Sequence, residues 1–392
     1  MEQTVTPPDI GQPALSQAGI LQALRGLLVP VLAVFTAVVI GAAFILLAGF
    51  DPFKAYGSLL QGSLGSDAAL TRSLLKMTPL ILSGLAVAFA FKGGLFNIGA
   101  QGQLVVGALC SAWAGFAIKG LPPVLHVPIA LAAGVLGGML WASIAGVLKA
   151  FTGAHEVIST IMLNYVASLL LSWAVAVGTT TTPPGRLAAC KTLSQCAIAK
   201  TPPILPSAYL PVIYTPSSGS DVLHIGIFIA IAVALLVWAV LYKTTFGFEV
   251  RMVGLNPNAA RYSGINVKRL TIVTMAISGA LAGLAGAIQT QGVNHGFEVN
   301  QSLTTGFDAI AVSLLAANSP LGIMPSAFLF GVMNAGSGQM QLESKVSTDL
   351  IGIIQALILM FVAADQIIRQ IYHVRVQGVG EKVKLSTGWG QR

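Results

Sequence analysis

Long apolar stretches separated by short polar ones run through almost the whole chain. A helix needs about 20 mostly apolar residues to cross the ~30 Å hydrocarbon core of a bilayer. That ruler marks ten segments, at 27–49, 74–91, 95–117, 124–148, 157–178, 223–242, 269–290, 304–317, 321–340 and 349–368. Polar interruptions fall in 95–117 and 304–317. The pattern predicts an all-α, polytopic membrane bundle of about ten transmembrane helices, with broken helices in each half. Residues 1–26 and 371–392 read as cytoplasmic termini and 27–370 as the membrane domain. Within that domain, 179–222 reads as a long outer loop and 243–268 as an inner one.

Composition removes the main competing class. Of 392 residues, 55% are hydrophobic and 9% charged, against about a quarter charged in soluble proteins. Mean hydropathy is +0.81. The net charge of +8 does not point to nucleic acid, because the cations sit between apolar runs with no aromatics interleaved. Sorted by the ten spans, thirteen Lys and Arg fall inside and eight outside with the N-terminus inside. The bias places both termini in the cytoplasm. The first twenty residues have no basic start leading into an apolar core, so a cleaved signal peptide is not expected. Three cysteines (Cys110, Cys190, Cys196) exclude a disulfide scaffold and show no zinc-ligand spacing. Cys190 and Cys196 lie on the outer loop, as a local disulfide or as two free thiols.

No catalytic pattern appears. The chain has no Gly-Lys dipeptide, hence no phosphate loop, and no GxSxG elbow. His155-Glu156 lacks the second histidine of a zincin, and Glu156 is better placed at a helix start. The expectation is transport without enzymatic activity, catalytic residues, metal or cofactor in this chain.

Three stretches carry the polar chemistry. In Lys92–Gln103, Asn97, Gln101 and Gln103 interrupt an apolar region beside four glycines. Irregular polar backbone at membrane depth survives only against protein or a water-filled cavity. Two readings stay open: a broken helix lining a path, or amides bonding a neighbouring helix. The 304–317 run is about 21 Å of helix at ~1.5 Å per residue, too short to span, and it carries Asp308 near its start. In the inner loop, Asn256 can cap a helix of about two turns with Pro257 first and Gly264 at its end. Such a helix suits docking into a partner's groove, with Ala259 and Ala260 allowing close approach. Gly134/Gly138 and Gly279/Gly283 form GxxxG pairs suited to the bundle interior.

These stretches together resemble a family. GGLFNIGAQGQLVVGA (93–108), HEVISTIMLNYVA (155–167), VGLNPNAARYSGINVKR (253–269) and GFDAIAVSLLAANSPLGI (306–323) resemble permease subunits of bacterial ABC importers. The ribose and branched-chain amino-acid permeases are relatives, and the nucleoside or simple-sugar group is nearest. The resemblance implies a half-transporter in the inner membrane, paired with a second permease subunit that is more often unlike than identical. Two ATPase subunits, which bind ATP and Mg, sit on its inner face, and an outer substrate-binding lipoprotein delivers the solute. It implies ATPase coupling by Glu249, Arg251, Asn256, Pro257, Ala259, Ala260, Arg261 and Gly264. Asn97, Gln101, Gln103, Phe96, Asn164 and Asp308 are implied as path residues, with Phe89, Phe91 and Phe96 as stacking surfaces. A permease for a sugar or other small polar solute, and a secondary carrier working without ATP, are the competing expectations.

Overall fold

A computed structural model describes residues 17–177, 185–189, 199–218, 221–298, 304–364 and 372. Cys190, Cys196 and most of both predicted termini lie outside these residues. Among the described residues the chain forms thirteen α-helices and one two-stranded antiparallel ribbon. In order these are α1 (Gln17–Leu47), α2 (Pro52–Leu64), α3 (Asp67–Lys92), α4 (Ala100–Ala117), α5 (Pro123–Thr152) and α6 (Glu156–Ala174). The ribbon β1 (Val212–Tyr214) and β2 (Leu223–His224) precedes α7 (Gly226–Lys243), α8 (Thr245–Leu255) and α9 (Pro257–Tyr262). Then follow α10 (Val267–Gln289), α11 (Thr305–Leu315), α12 (Ile323–Ser344) and α13 (Asp349–Ala363).

Among the described residues, six helices are long and apolar enough to cross a membrane: α1, α3, α5, α6, α7 and α10. The polytopic all-α expectation holds. Helices α4 and α12 have the length, but amides and small polar residues dilute them. The short α11 and α13 are apolar. The ribbon, α8 and α2 were not expected; in α2, Asp51 accepts hydrogen bonds from the Phe53 and Lys54 N–H groups and Pro52 opens the helix.

Burial separates the helices into a centre and a jacket. Within their apolar windows α3 is 78% buried and α10 61%, whereas α6 is 22% buried. The jacket helices therefore present apolar side chains outward, as lipid-facing helices do. The centre closes on glycine. A Cβ on Gly138 would lie 2.3 Å from the Gly279 carbonyl oxygen, and one on Gly283 2.3 Å from that of Gly134. A Cβ on Gly107 of α4 would meet the Gly283 Cα at 2.4 Å. The two GxxxG pairs face each other inside this one chain, so α5 and α10 pack backbone to backbone.

Helix α3 is the most buried of the apolar helices. Its 26 residues span about 39 Å at ~1.5 Å per residue. The Ser66 cap starts it by accepting from the Ala69 N–H at 3.1 Å, and Gly94 turns the chain away at φ +73°.

Candidate functional site

At the Lys92 end of α3 the chain leaves the helix and re-enters as α4. The Asn97 side chain, 1% exposed, donates to Gln103 Oε1 at 2.8 Å and to Ser278 Oγ of α10 at 2.7 Å. Its Oδ1 accepts from the Gly99 N–H and from Gln103 Nε2. Ser278 passes the chain on to the Ala86 carbonyl of α3 at 2.6 Å. Asn164 of α6 accepts from the Gly102 N–H and donates to the Ile98 carbonyl. Gln101 Oε1 accepts from the Gly306 N–H at the start of α11, at 2.8 Å. Glycine is required at 306, because a Cβ would lie 2.4 Å from the Gln101 backbone. These amides tie α3, α4, α6, α10 and α11 together. Phe96 packs edge-on against Phe91, ring centroids 4.5 Å apart, and Phe89 is buried in the core.

Asp308 follows two residues after Gly306, on the first turn of α11. It borders a cavity of about 600 Å³ toward the Asp67 end of the bundle, within the ~300–1,000 Å³ typical of small-molecule sites. Part of the lining is apolar: Leu75, Pro79 and Leu80 of α3, Ile288 of α10 and Val293 just beyond it. The charged lining is Arg72, Lys76, Asp221 and Asp308, two of each sign. Arg72 Nε pairs with Asp221 Oδ2 at 3.0 Å, and Asp308 accepts from Thr304 Oγ1 at 3.2 Å. The segment before α7 is strapped to the first turn of α3. There the Asp67 carboxylate accepts from the Ser217 N–H at 2.7 Å, from Ser217 Oγ and from the Tyr214 hydroxyl. That hydrogen bond, with a smaller share from burial, raises the Tyr214 phenol above its usual pKa.

Beyond the Lys92 end lie α8 and α9. Asn256 Oδ1 accepts from the Asn258 and Ala259 N–H groups at 3.0 and 3.1 Å, Pro257 opens α9, and Gly264 turns at φ +83°. The capped short helix is as its punctuation predicts. Asn256, Pro257, Ala259, Arg261 and Gly264 are exposed, whereas Ala260 is buried in the chain's own core. Glu249 is half-buried and Arg251 lies 5.1 Å over the Tyr242 ring. Gly254 of α8 meets the bend after α3: a Cβ there would lie 2.2 Å from the Lys92 carbonyl oxygen and 2.8 Å from the Gly94 nitrogen. Glu156 sits in the first turn of α6 and pairs with Lys149 at 2.8 Å.

Sequence reasoning passed over three groups of residues. Arg72, Asp221, His224 and Gln289 on the cavity have no local pattern that marks them. Tyr262 is 95% exposed and Leu255 67%; large apolar side chains beside a capped helix outside the spans were the available signal. Gly254 pairs with Gly94 across 160 residues, which no local pattern reveals. Among the described residues, no group of three His, Cys, Asp or Glu could hold a metal ion.

A many-helix membrane bundle thus carries a half-apolar cavity toward one end and a capped short helix at the other. Residues 69–363 match the family described as branched-chain amino acid transport system / permease component. The chain is 38% identical over 349 residues to the guanosine ABC transporter permease protein NupP of Bacillus subtilis (strain 168), covering 88% of this chain and 95% of that one. It is 35% identical to the nucleoside ABC transporter permease protein NupB of Lactococcus lactis subsp. cremoris (strain MG1363), over 88% of this chain and 92% of that one. It is 32% identical to the glucose ABC transporter permease protein TsgB13 of Haloferax volcanii, over 87% and 88%. The chain belongs to this permease family. It is a multi-pass membrane transport subunit and not an enzyme.

Proposed function

We propose that the chain forms the path for nucleosides in an ATP-driven importer of the bacterial inner membrane. One observation carries the reading: a charge-balanced, half-apolar cavity and an exposed capped helix lie at opposite ends of the same central helix. A neutral solute fits four charges that cancel. The names of the two nucleoside-permease relatives support the substrate class.

In this reading the termini and the 243–268 loop face the cytoplasm, and α9 docks on a separate ATPase that binds ATP and Mg. Asn256, Pro257, Ala259 and Arg261 present α9, with Glu249, Arg251 and Gly264 fixing its flanks. The inward-facing Ala260 and Gly254 carry its motion to α10 and α3. Asp308 lines the path. Asn97, Gln101, Gln103 and Asn164, with Phe96 beside them, hold its wall in shape. A second, unlike permease subunit completes the path, and an outer binding lipoprotein delivers solute at the Asp67 end.

Vesicles holding the full complex and supplied with ATP should accumulate labelled uridine or guanosine in preference to glucose. Accumulation by the lone chain on an ion gradient, or of glucose in place of nucleoside, would sink the reading.

A further inference from the structure

The four charges on the cavity are not alike. Arg72 and Asp221 close on each other at 3.0 Å. Among the described residues, neither Lys76 nor Asp308 forms an ion pair, and Lys76 has no hydrogen-bond partner either. The donors to the Asp308 carboxylate are neutral. They are the Thr304 hydroxyl at 3.2 Å and the Asn334 amide, whose own oxygen is held by Gln355 Nε2 at 2.9 Å. A carboxylate offers about four lone-pair sites, so acceptor capacity remains.

Both charges stand well along membrane helices. Lys76 lies nine residues past the first residue of α3, about 14 Å along the helix at ~1.5 Å per residue. A Cβ on Gly84 would lie 3.2 Å from Val312 Cγ1, so α11 runs beside α3. Four residues earlier on each helix come Leu80 and Asp308, and both line the cavity with Lys76. Neither charge is sealed inside the protein, since Lys76 is exposed and Asp308 half-buried. Charges at such depth are costly, and where they face a cavity they mark a substrate path.

One small ligand group must therefore give acceptors to the ammonium and donors to the carboxylate. A vicinal diol does so without a charge of its own: each hydroxyl gives its proton to the carboxylate while its oxygen accepts from the ammonium. The apolar lining at Leu75, Pro79, Leu80, Ile288 and Val293 suits a flat ring carried beside that diol. A ribonucleoside joins the two parts. A hexose has the diol without the base, and a 2′,3′-dideoxynucleoside the base without the diol.

We propose that Lys76 and Asp308 hold the 2′,3′-diol of a ribonucleoside in this cavity. The inference rests on the nucleoside reading above and assigns the part of the substrate that is read and the residues that read it.

The test is saturation-transfer NMR on the purified complex of permease and companion subunits, without the binding protein. The probes are uridine, 2′,3′-dideoxyuridine, glucose and leucine. The wild-type complex should bind uridine about tenfold or more tightly than dideoxyuridine, the scale of a hydrogen bond to a charged group. Asp308→Asn and Lys76→Met should each weaken uridine binding about tenfold and leave dideoxyuridine unchanged, which erases the preference. A merely structural charge predicts that both nucleosides weaken alike or neither does, and either result overturns the proposal. Equal affinity of the wild-type complex for uridine and dideoxyuridine overturns it whatever the variants do. Leucine or glucose bound in place of uridine also overturns it, with a zwitterion or a hexose as the occupant. If vesicles accumulate nucleoside while the wild-type complex shows no transfer to uridine, the proposal falls and the transport reading stands. If vesicles carry no nucleoside, both fall.

Discussion

Residues 93–103 and residues 288–298 both interrupt the bundle, and they differ in how completely their polar side chains are paired. In the first, Asn97, Gln103 and Asn164 spend their amides on one another, on Ser278 and on backbone. In the second, Thr290 donates to the Ala108 carbonyl, while Gln289 Oε1 has no partner among the described residues. Polar residues inside a membrane helix thus divide by whether the protein already satisfies them. The satisfied set acts as glue between helices.

The largest effect should come from Asn97→Ala. It leaves Gln103, Ser278 and the Gly99 N–H short of partners in a buried place, and should lower stability by about 2–4 kcal/mol. A drop in the thermal midpoint of the purified complex, with reduced assembly, is the readout. Gln101→Ala removes the acceptor for the Gly306 N–H and should cost about 1–3 kcal/mol, measured the same way. Should either variant retain full stability and lose only transport, the glue reading of residues 93–103 fails. Arg72→Ala should do least: both partners of its ion pair are about 40% exposed, and such pairs contribute roughly 0–1 kcal/mol. Its effect belongs in the salt dependence of uptake rather than in the melting curve.

How much of this was legible in the sequence depended on the range of each signal. Asn256, Pro257 and Gly264 punctuate α9 within nine residues, and the helix appears where that spelling places it. The apolar runs mark the bundle for the same reason. Helix α2 escaped because a 20-residue apolar window does not register Pro52–Leu64, where Lys54, Ser58 and Gln61 alternate with apolar positions; its Asp51-Pro52 start was the missed sign. The amides of 97–103 were visible, but their role was not. Asn97 bonds Ser278, 181 residues away, and no local pattern states whether a distant partner exists.

The contact between Gly254 and the bend at Gly93-Gly94 has a mechanical consequence. Side chains have rotamers and can absorb a push by hopping between them. Where one main chain rests directly on another, there is no such slack. A shove applied to the short α8–α9 unit must therefore either shift the foot of α3 or pull the two strands of backbone apart, making this joint free of backlash.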